Sequence, residues 1–535
     1  MASPGYMLAL SKAMISAVTD EQLPAELAGW PTWTPDETQL GELELIITGA
    51  FAPQAGYLPP DADDSVADRT ADDDPWPLPV TLTVPAGAVP GAVTTGAVTT
   101  GELTPGNDSH LVLTDPEGSP LAVLEITGRV PADSASSAYR LSGPVTVLRA
   151  PEYGTFRSLR RLPADVRAEL RGTPVLALAT RGPLTQRHIG QLRHLKPAGA
   201  RLLLLPLVAG PTRVVGSPEA LVRTVLAAAR QLPADTLVVP VPLPPRAAAD
   251  QELFARAVVA RSYGATHLLP EQPFIATAET IRSDYGIRVL STGEWAYDAL
   301  AEVWRPLGLI DPGVERGELS DGELGALLDA GDTVPGWLLS REVAAELRRA
   351  RPPRAERGLV VFFTGLSGSG KSTLARDLRD ALLERGDRKV SLLDGDLVRQ
   401  LLSAGLTFSR EDRDLNIARI GYVATEVARA GGIALCAPIA PYASARARVR
   451  SMVAEAGGFV LVHVATPLEV CEARDRKGLY AKARAGVIGS FTGISDPYEE
   501  PADADLVVDT SAVSRRAAVE QVLAHLVRGG WLTKG

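Results

Sequence analysis

Nine consecutive residues, Gly365-Leu366-Ser367-Gly368-Ser369-Gly370-Lys371-Ser372-Thr373, carry the most concentrated chemistry in this 535-residue chain. Glycines at this spacing let successive backbone N–H groups turn toward one phosphate, and a helix N-terminus beyond them adds its positive end. Lys371 has the reach to meet β- and γ-phosphates, and the Ser372 hydroxyl suits a magnesium ion. A second set follows. Asp394-Gly395-Asp396 closes an apolar run, where a carboxylate can hold a metal or orient an attacking hydroxyl. Asp394, Asp396 and Lys371 are therefore the catalytic candidates, and the whole 365–373 stretch the candidate phosphate site.

These residues need particular elements behind them. Leu359–Phe363 reads as a buried parallel strand, and Thr373–Arg385 as a helix stopped by Gly386. Strand, G-x-x-x-x-G-K-[ST], helix is the P-loop arrangement. Further strands are expected at Val390–Leu393, Ile433–Ala437, Phe459–Val464 and Leu506–Asp509, which makes an open α/β sheet with its carboxylates at the strands' carboxyl ends. A helix opens at Ser409 with acids in its first turn. A basic helix spans Ser444–Ala454, and Ala517–Val527 closes the chain. The charged, glycine-bearing segment from Glu472 to Glu499 is a candidate lid, since phosphoryl transfer must exclude water.

Upstream, residues 1–150 alternate short β-type runs with Gly/Pro turns: Leu43–Ile47, Leu78–Val84, Ser109–Leu113, Leu121–Ile126 and Val145–Leu148. The acidic segment Asp61–Asp74 reads as a surface loop, and the doubled Gly-Ala-Val-Thr-Thr at 91–100 as a loop or strand extension. Residues 151–310 alternate strands with helices, hence a parallel α/β domain. Residues 311–354 form a small subdomain and a linker ending in Pro352-Pro353-Arg354, and 355–535 the P-loop domain.

A net charge of −10 argues against nucleic acid as a partner. The basic clusters at Arg348–Arg357 and Arg446–Arg450 read as solvated faces or helix ends. Two cysteines, Cys436 and Cys471, cannot build a disulfide framework and sit in apolar contexts. Six histidines show no metal-ligand spacing. No run approaches a membrane span and no signal peptide pattern opens the chain, so a cytoplasmic protein is expected.

The motifs of 355–535 resemble adenylylsulfate (APS) kinase: G-L-S-G-S-G-K-S-T, L-D-G-D, F-S-x-x-D-R-x-x-N, R-D-x-K-G-L-Y-x-x-A-R and F-T-G-I-x-x-P-Y-E follow one another in the family order. The resemblance implies that Phe408 stacks on the substrate adenine, that Arg399, Arg413 and Asn416 hold its phosphosulfate, and that Lys477, Gly478, Leu479 and Phe491 form the lid beside it. It implies Asp396 as the group that orients the attacking 3′-hydroxyl, with ATP and magnesium as co-substrate and cofactor. Leu397 stands where the family has Asn. Ala437-Pro438-Ile439-Ala440-Pro441-Tyr442-Ala443 replaces S-F-I-S-P-Y-R.

The first 350 residues resemble ATP sulfurylase, which implies a PUA-like β-barrel followed by a Rossmann-like α/β domain and, for both families, assembly as dimers or larger. Thr48-Gly49-Ala50-Phe51-Ala52-Pro53-Gln54-Ala55-Gly56-Tyr57-Leu58 carries the likeness in the barrel. The catalytic motifs are damaged. Q-T-R-N-P-x-H-x-x-H has become Ala179-Thr180-Arg181-Gly182-Pro183-Leu184-Thr185-Gln186-Arg187-His188, keeping Arg181 and His188 as relics or structural residues, or as residual anion ligands. L-L-H-P-L-V-G has Leu205 in place of its histidine, and G-R-D-H-A-G has become Pro270–Ile275. The resemblance therefore implies an APS kinase fused to a sulfurylase-like half without catalysis. A bifunctional synthase and a non-catalytic nucleotide sensor are the alternatives.

Overall fold

The computed structural model of the chain describes residues 27, 29–58, 80–89, 109–132, 137–273, 286–386, 388–407, 409–454, 456–475, 478–489 and 491–533. The acidic segment at 61–74 and the doubled segment at 91–100 lie outside them. Two compact units result: residues 1–325 with 334–350, and residues 326–333 with 351–535.

The first unit begins with strand β1 (Thr32–Trp33) and helix α1 (Glu37–Ile47). Strands β2 (Gly56–Tyr57), β3 (Leu82–Pro85), β4 (His110–Thr114), β5 (Pro120–Glu125), β6 (Gly128–Pro131) and β7 (Ala138–Val147) follow. They form a seven-stranded sheet in which the long β7 pairs with β5, β2, β3 and β6. The expectation of a strand at Leu43–Ile47 is overturned: these residues are the end of α1. Leu40 through Ile47 are all buried, so the run shows no amphipathic period and reads as strand or helix alike. What decides it is the start. Asp36 accepts from the Gln39 N–H at 2.9 Å and Gln39 reaches back to the Asp36 N–H, a reciprocal cap that fixes a helix. The charged residues inside the run are buried as pairs, Glu42 with Arg246 at 2.6 Å and Glu44 with Arg160 at 3.3 Å.

Helix α2 (Pro163–Leu170) leads into a parallel α/β layer. It comprises β8 (Val175–Thr180), α3 (Gln186–Leu195), β9 (Arg201–Pro206), α4 (Pro218–Ala229), β10 (Leu237–Val238), α5 (Ala249–Ser262), β11 (His267–Leu268) and β12 (Arg288–Val289). The sheet order is β10-β9-β8-β11-β12, every pair parallel. β8 is buried along its whole length, as a strand covered on both faces must be. An antiparallel trio follows, β13 (Trp295–Asp298), β14 (Val303–Pro306) and β15 (Glu315–Arg316), then α6 (Asp321–Ala330) and α7 (Arg341–Ala350).

The second unit is a five-stranded parallel sheet with helices on both faces. Its elements are β16 (Leu359–Thr364), α8 (Lys371–Arg385), β17 (Val390–Leu393), α9 (Gly395–Leu401), α10 (Arg410–Arg429), β18 (Ile433–Cys436), α11 (Ala443–Val453), β19 (Gly458–Val464), α12 (Leu468–Arg474), α13 (Leu479–Arg484), β20 (Leu506–Val508) and α14 (Arg515–Arg528). The order is β17-β18-β16-β19-β20. Alternation along β16 distributes its side chains. Leu359, Val361 and Phe363 pack with Leu374, Leu378, Val522 and Leu526, while Val360 and Phe362 pack with Ile417, Ile420, Val449 and Val453. The chain leaves β16 to one side for β17 and β18, then crosses it to β19 and β20. The reversal falls at the carboxyl end of β16, where open α/β sheets bind ligands.

Two expectations about charge are corrected. Arg446 is not on a solvated face: it is buried and donates to the carbonyls of Ala440 and Glu499, both at 2.8 Å. Arg351 and Arg357 converge on one carboxylate, that of Asp329, with Arg354 3.6 Å away. Both cysteines are free and buried. Among the described residues no helix is long and apolar enough to cross a membrane.

Candidate active site

Residues 365–370 join β16 to α8. Gly368 has φ +78°, and a Cβ there would stand 2.9 Å from the Cys471 carbonyl oxygen. Gly370 is the N-cap of α8 at φ +102°, and no side chain caps the helix. The first N–H groups of α8 are thus left facing the loop with the positive end of a 15-residue helix behind them.

The loop's oxygens are held elsewhere. Lys371 Nζ donates to the Leu366 carbonyl at 2.7 Å, and the Tyr480 hydroxyl to that of Ser367 at 2.8 Å. Arg474 donates to Gly368 at 3.3 Å, and Thr466 and Thr510 donate to Ser369 at 3.0 and 2.7 Å. With its carbonyls tied, the loop offers its concavity amide donors and the Lys371 ammonium, which can hold a polyphosphate. Thr466 and Thr510 escaped the sequence reading, and Arg474 and Tyr480, which stand in the R-D-x-K-G-L-Y motif, were given no role there. Thr466 and Thr510 each stand two residues past a strand end, a position that faces the crevice.

At the end of β17, Asp394 is buried and accepts from Arg376, one turn along α8, at 2.7 Å. Asp396 falls in the first turn of α9, and its side chain lies outside the described residues, as do Phe408 and Lys477. Arg399 donates to the Thr407 carbonyl at 3.3 Å. Ser409 caps α10 as expected, accepting from the Asp412 N–H at 3.2 Å. Arg413 and Asn416, three residues apart on α10, share a buried face. Arg413 pairs with the Asp496 carboxylate, which also accepts from the Tyr442 hydroxyl at 2.9 Å. Asn416 Oδ1 is buried with no hydrogen-bond partner among the described residues. A buried orphan acceptor of this kind marks a place where a ligand's donor fits.

The candidate lid is attached to the phosphate loop. Gly478, at φ +63°, starts α13, and Leu479 joins Cys471, Tyr480, Ala483 and Phe491 in a small apolar cluster against Leu366. The Phe491 ring stands edge-on to Tyr480, 4.9 Å between centroids.

In the first unit, Arg181 and His188 come to rest in a dense ionic network. Arg181 is buried and gives its donors to Glu252 at 3.0 Å and to the carbonyls of Ala209 and Leu243 at 2.8 and 2.9 Å. His188 Nδ1 accepts from the Thr185 N–H at 3.1 Å, and Nε2 donates to the Glu271 carbonyl at 2.9 Å. Burial, reinforced by the Arg187 charge, pushes its pKa down to about 4, so the ring is neutral. Burial lifts the Glu271 carboxyl, but Arg256 and Arg213 outweigh it and hold it below the usual range. Glu271 lies 2.6 Å from Arg256 and 3.2 Å from Arg213. Thr185 donates to Glu318 at 2.5 Å, and Leu205 is fully buried in the apolar core. Beside the network lies a cavity of about 1010 Å³.

Residues 357–509 match the family model for adenylylsulphate kinase, and residues 3–141 that for a PUA-like domain. Over 96% of both chains, the protein is 33% identical to the sulfate adenylyltransferase of Phaeosphaeria nodorum and 34% identical to that of Neurospora crassa. Among solved structures it is similar to the hexameric APS kinase from Thiobacillus denitrificans, with a TM-score of 0.77 at 34% identity over 96% of each chain.

Proposed function

Because this chain belongs to the sulfate adenylyltransferase family and carries an adenylylsulphate kinase domain at its C-terminal end, we propose that it works as an APS kinase. It transfers the ATP γ-phosphoryl group to the 3′-hydroxyl of adenylyl sulfate, giving ADP and the 3′-phosphorylated sulfate donor. The observation that carries this reading is the loop at 365–371, with its carbonyls tied outward and an uncapped helix behind it. Lys371 leaves its loop acceptor to follow the migrating phosphoryl group. Asp396 orients the hydroxyl, and Asp394 with Arg376 supports the same edge of the crevice. Asn416 and Arg413 hold the nucleoside phosphosulfate, Phe408 stacks on its base, and Arg399, Lys477, Gly478, Leu479 and Phe491 complete its enclosure.

Ser372, half-buried in the first turn of α8, is the residue that would hold magnesium. Magnesium keeps several waters and phosphate oxygens and needs few protein ligands, so a single hydroxyl at the start of the helix behind the phosphate loop suits it. When bound, the ion neutralises charge on the β- and γ-phosphate oxygens. By analogy with the hexameric relative, we propose that the chain assembles as a homo-oligomer, to be read by light scattering.

The sulfurylase-like half is proposed to be non-catalytic. Attack on an α-phosphate builds charge that needs donors beside it, and losing one such donor typically costs about 10²–10³ in rate. Here Leu205 is core, Thr185 is engaged with Glu318, and the donors of Arg181 are spent. The relatives' activity favours a second reading, a bifunctional synthase. Two assays decide. ADP should form only when adenylyl sulfate accompanies ATP and magnesium, and Lys371→Ala should lower kcat by orders of magnitude; equal turnover without adenylyl sulfate refutes the kinase. The Lys371→Ala protein should release no pyrophosphate from ATP and sulfate, and sustained sulfate-dependent release establishes the synthase.

A further inference from the structure

The cavity beside the ionic network combines two properties that a nucleotide or sulfate site does not. Its walls are largely apolar, built from Leu253, Leu269, Val289, Leu319 and Leu324. Among the described residues its charged lining holds three arginines against five carboxylates, an excess of two negative charges, with His188 neutral. Each of the three arginines is already engaged by acceptors of the protein. Arg187 is spent on Glu318 at 2.7 Å, on Gln191 at 3.0 Å and on the Glu271 carbonyl at 2.9 Å. Arg213 is held by both oxygens of Asp321, at 2.8 and 2.9 Å, and by Glu271. Arg256 is divided among Glu252, Glu271 and the Ala179 carbonyl. An incoming anion would have to displace these partners, buried at Arg187 and Arg256 and exposed at Arg213, and sit among surplus carboxylates, both unfavourable.

We propose that this cavity is a binding site for a small molecule with an apolar body and no anionic group, neutral or carrying a single amine. Apolar area removed from water supplies the attraction, and the carboxylate excess selects against anions. The volume is that of an ordinary small-molecule site. The proposal rests on the reading that this unit has lost its anion chemistry, and its test is separate from the pyrophosphate assay that addresses that reading.

The probe is Nile red, neutral and apolar, titrated into the full-length protein at pH 7.5, with displacement by two molecules of one skeleton, 4-phenylbutylamine and 4-phenylbutanoate. One saturable, blue-shifted dye site is expected, displaced by the amine at a concentration at least tenfold lower than the carboxylate and unaffected by ATP, adenylyl sulfate or sulfate. Leu253→Trp and Leu319→Trp, at half-buried wall positions, fill the cavity and should each weaken dye binding at least tenfold while keeping the wild-type melting profile. Absence of saturable binding, equal displacement by amine and carboxylate, competition by ATP or sulfate, or unchanged dye affinity in the folded tryptophan variants would each overturn the assignment.

Discussion

A histidine whose two ring nitrogens are both engaged by backbone groups couples stability to pH. His188 has a folded pKa of about 4 against about 6.5 in the unfolded chain. Between those values the unfolded state binds the proton and the folded state does not, so stability is full above about pH 6.5. It falls as pH drops, and the loss is complete near pH 4, at about 3 kcal/mol. His188→Gln keeps an acceptor for Thr185 and a donor for Glu271 while removing the titration. Its melting temperature should therefore fall less steeply between pH 6.5 and 4 than the wild type's, and an unchanged slope would assign the acid loss to other groups. A structural role for His188 was open in the sequence beside that of an anion ligand, but only the fold reveals Glu271 placed 83 positions away to accept its hydrogen bond. Lys371 is the opposite case, because two of its partners, Leu366 and Ser369, stand in the same motif.

Helix α10 carries Arg413 and Asn416 on its first turns, so the geometry of both depends on how that helix starts. Ser409 supplies the cap. Ser409→Ala should cost about 1 kcal/mol of stability in the kinase unit. By loosening the first turn it should raise KM for adenylyl sulfate while leaving KM for ATP unchanged, since the phosphate loop belongs to a different helix. Steady-state kinetics with each substrate varied in turn checks it, and a parallel rise in both constants would place the effect elsewhere. This start was readable from Ser409 and the acids behind it. The start of α1 carries the same kind of signal in Asp36 and Gln39, but the strand expectation rested on the apolar Leu43–Ile47 run alone. Periodicity fails where a helix is buried on every side, and capping chemistry, which is local, does not.

On the scale of the whole molecule, the second unit includes Ala326–Thr333, residues upstream of the Pro352-Pro353 segment. Asp329 is what joins them to it, accepting from Arg351 at 2.8 Å and from Arg357. A basic run read alone looks solvated, because its acidic partner lies more than twenty residues back in the chain. Asp329→Asn removes the charge from these hydrogen bonds and should destabilise the second unit by about 1–3 kcal/mol. In denaturant melts, a chain that begins at residue 351 should be less stable than one that begins at 326; equal midpoints would show the clasp to be idle. The engaged arginine of the first unit has a consequence of another kind, in descent rather than in stability. If the proposed loss of sulfurylase chemistry holds, a histidine returned to position 205 alone would leave Arg181 still committed to Glu252, Ala209 and Leu243. That single reversion should therefore restore no sulfate-dependent pyrophosphate release, which makes such a loss hard to undo one substitution at a time.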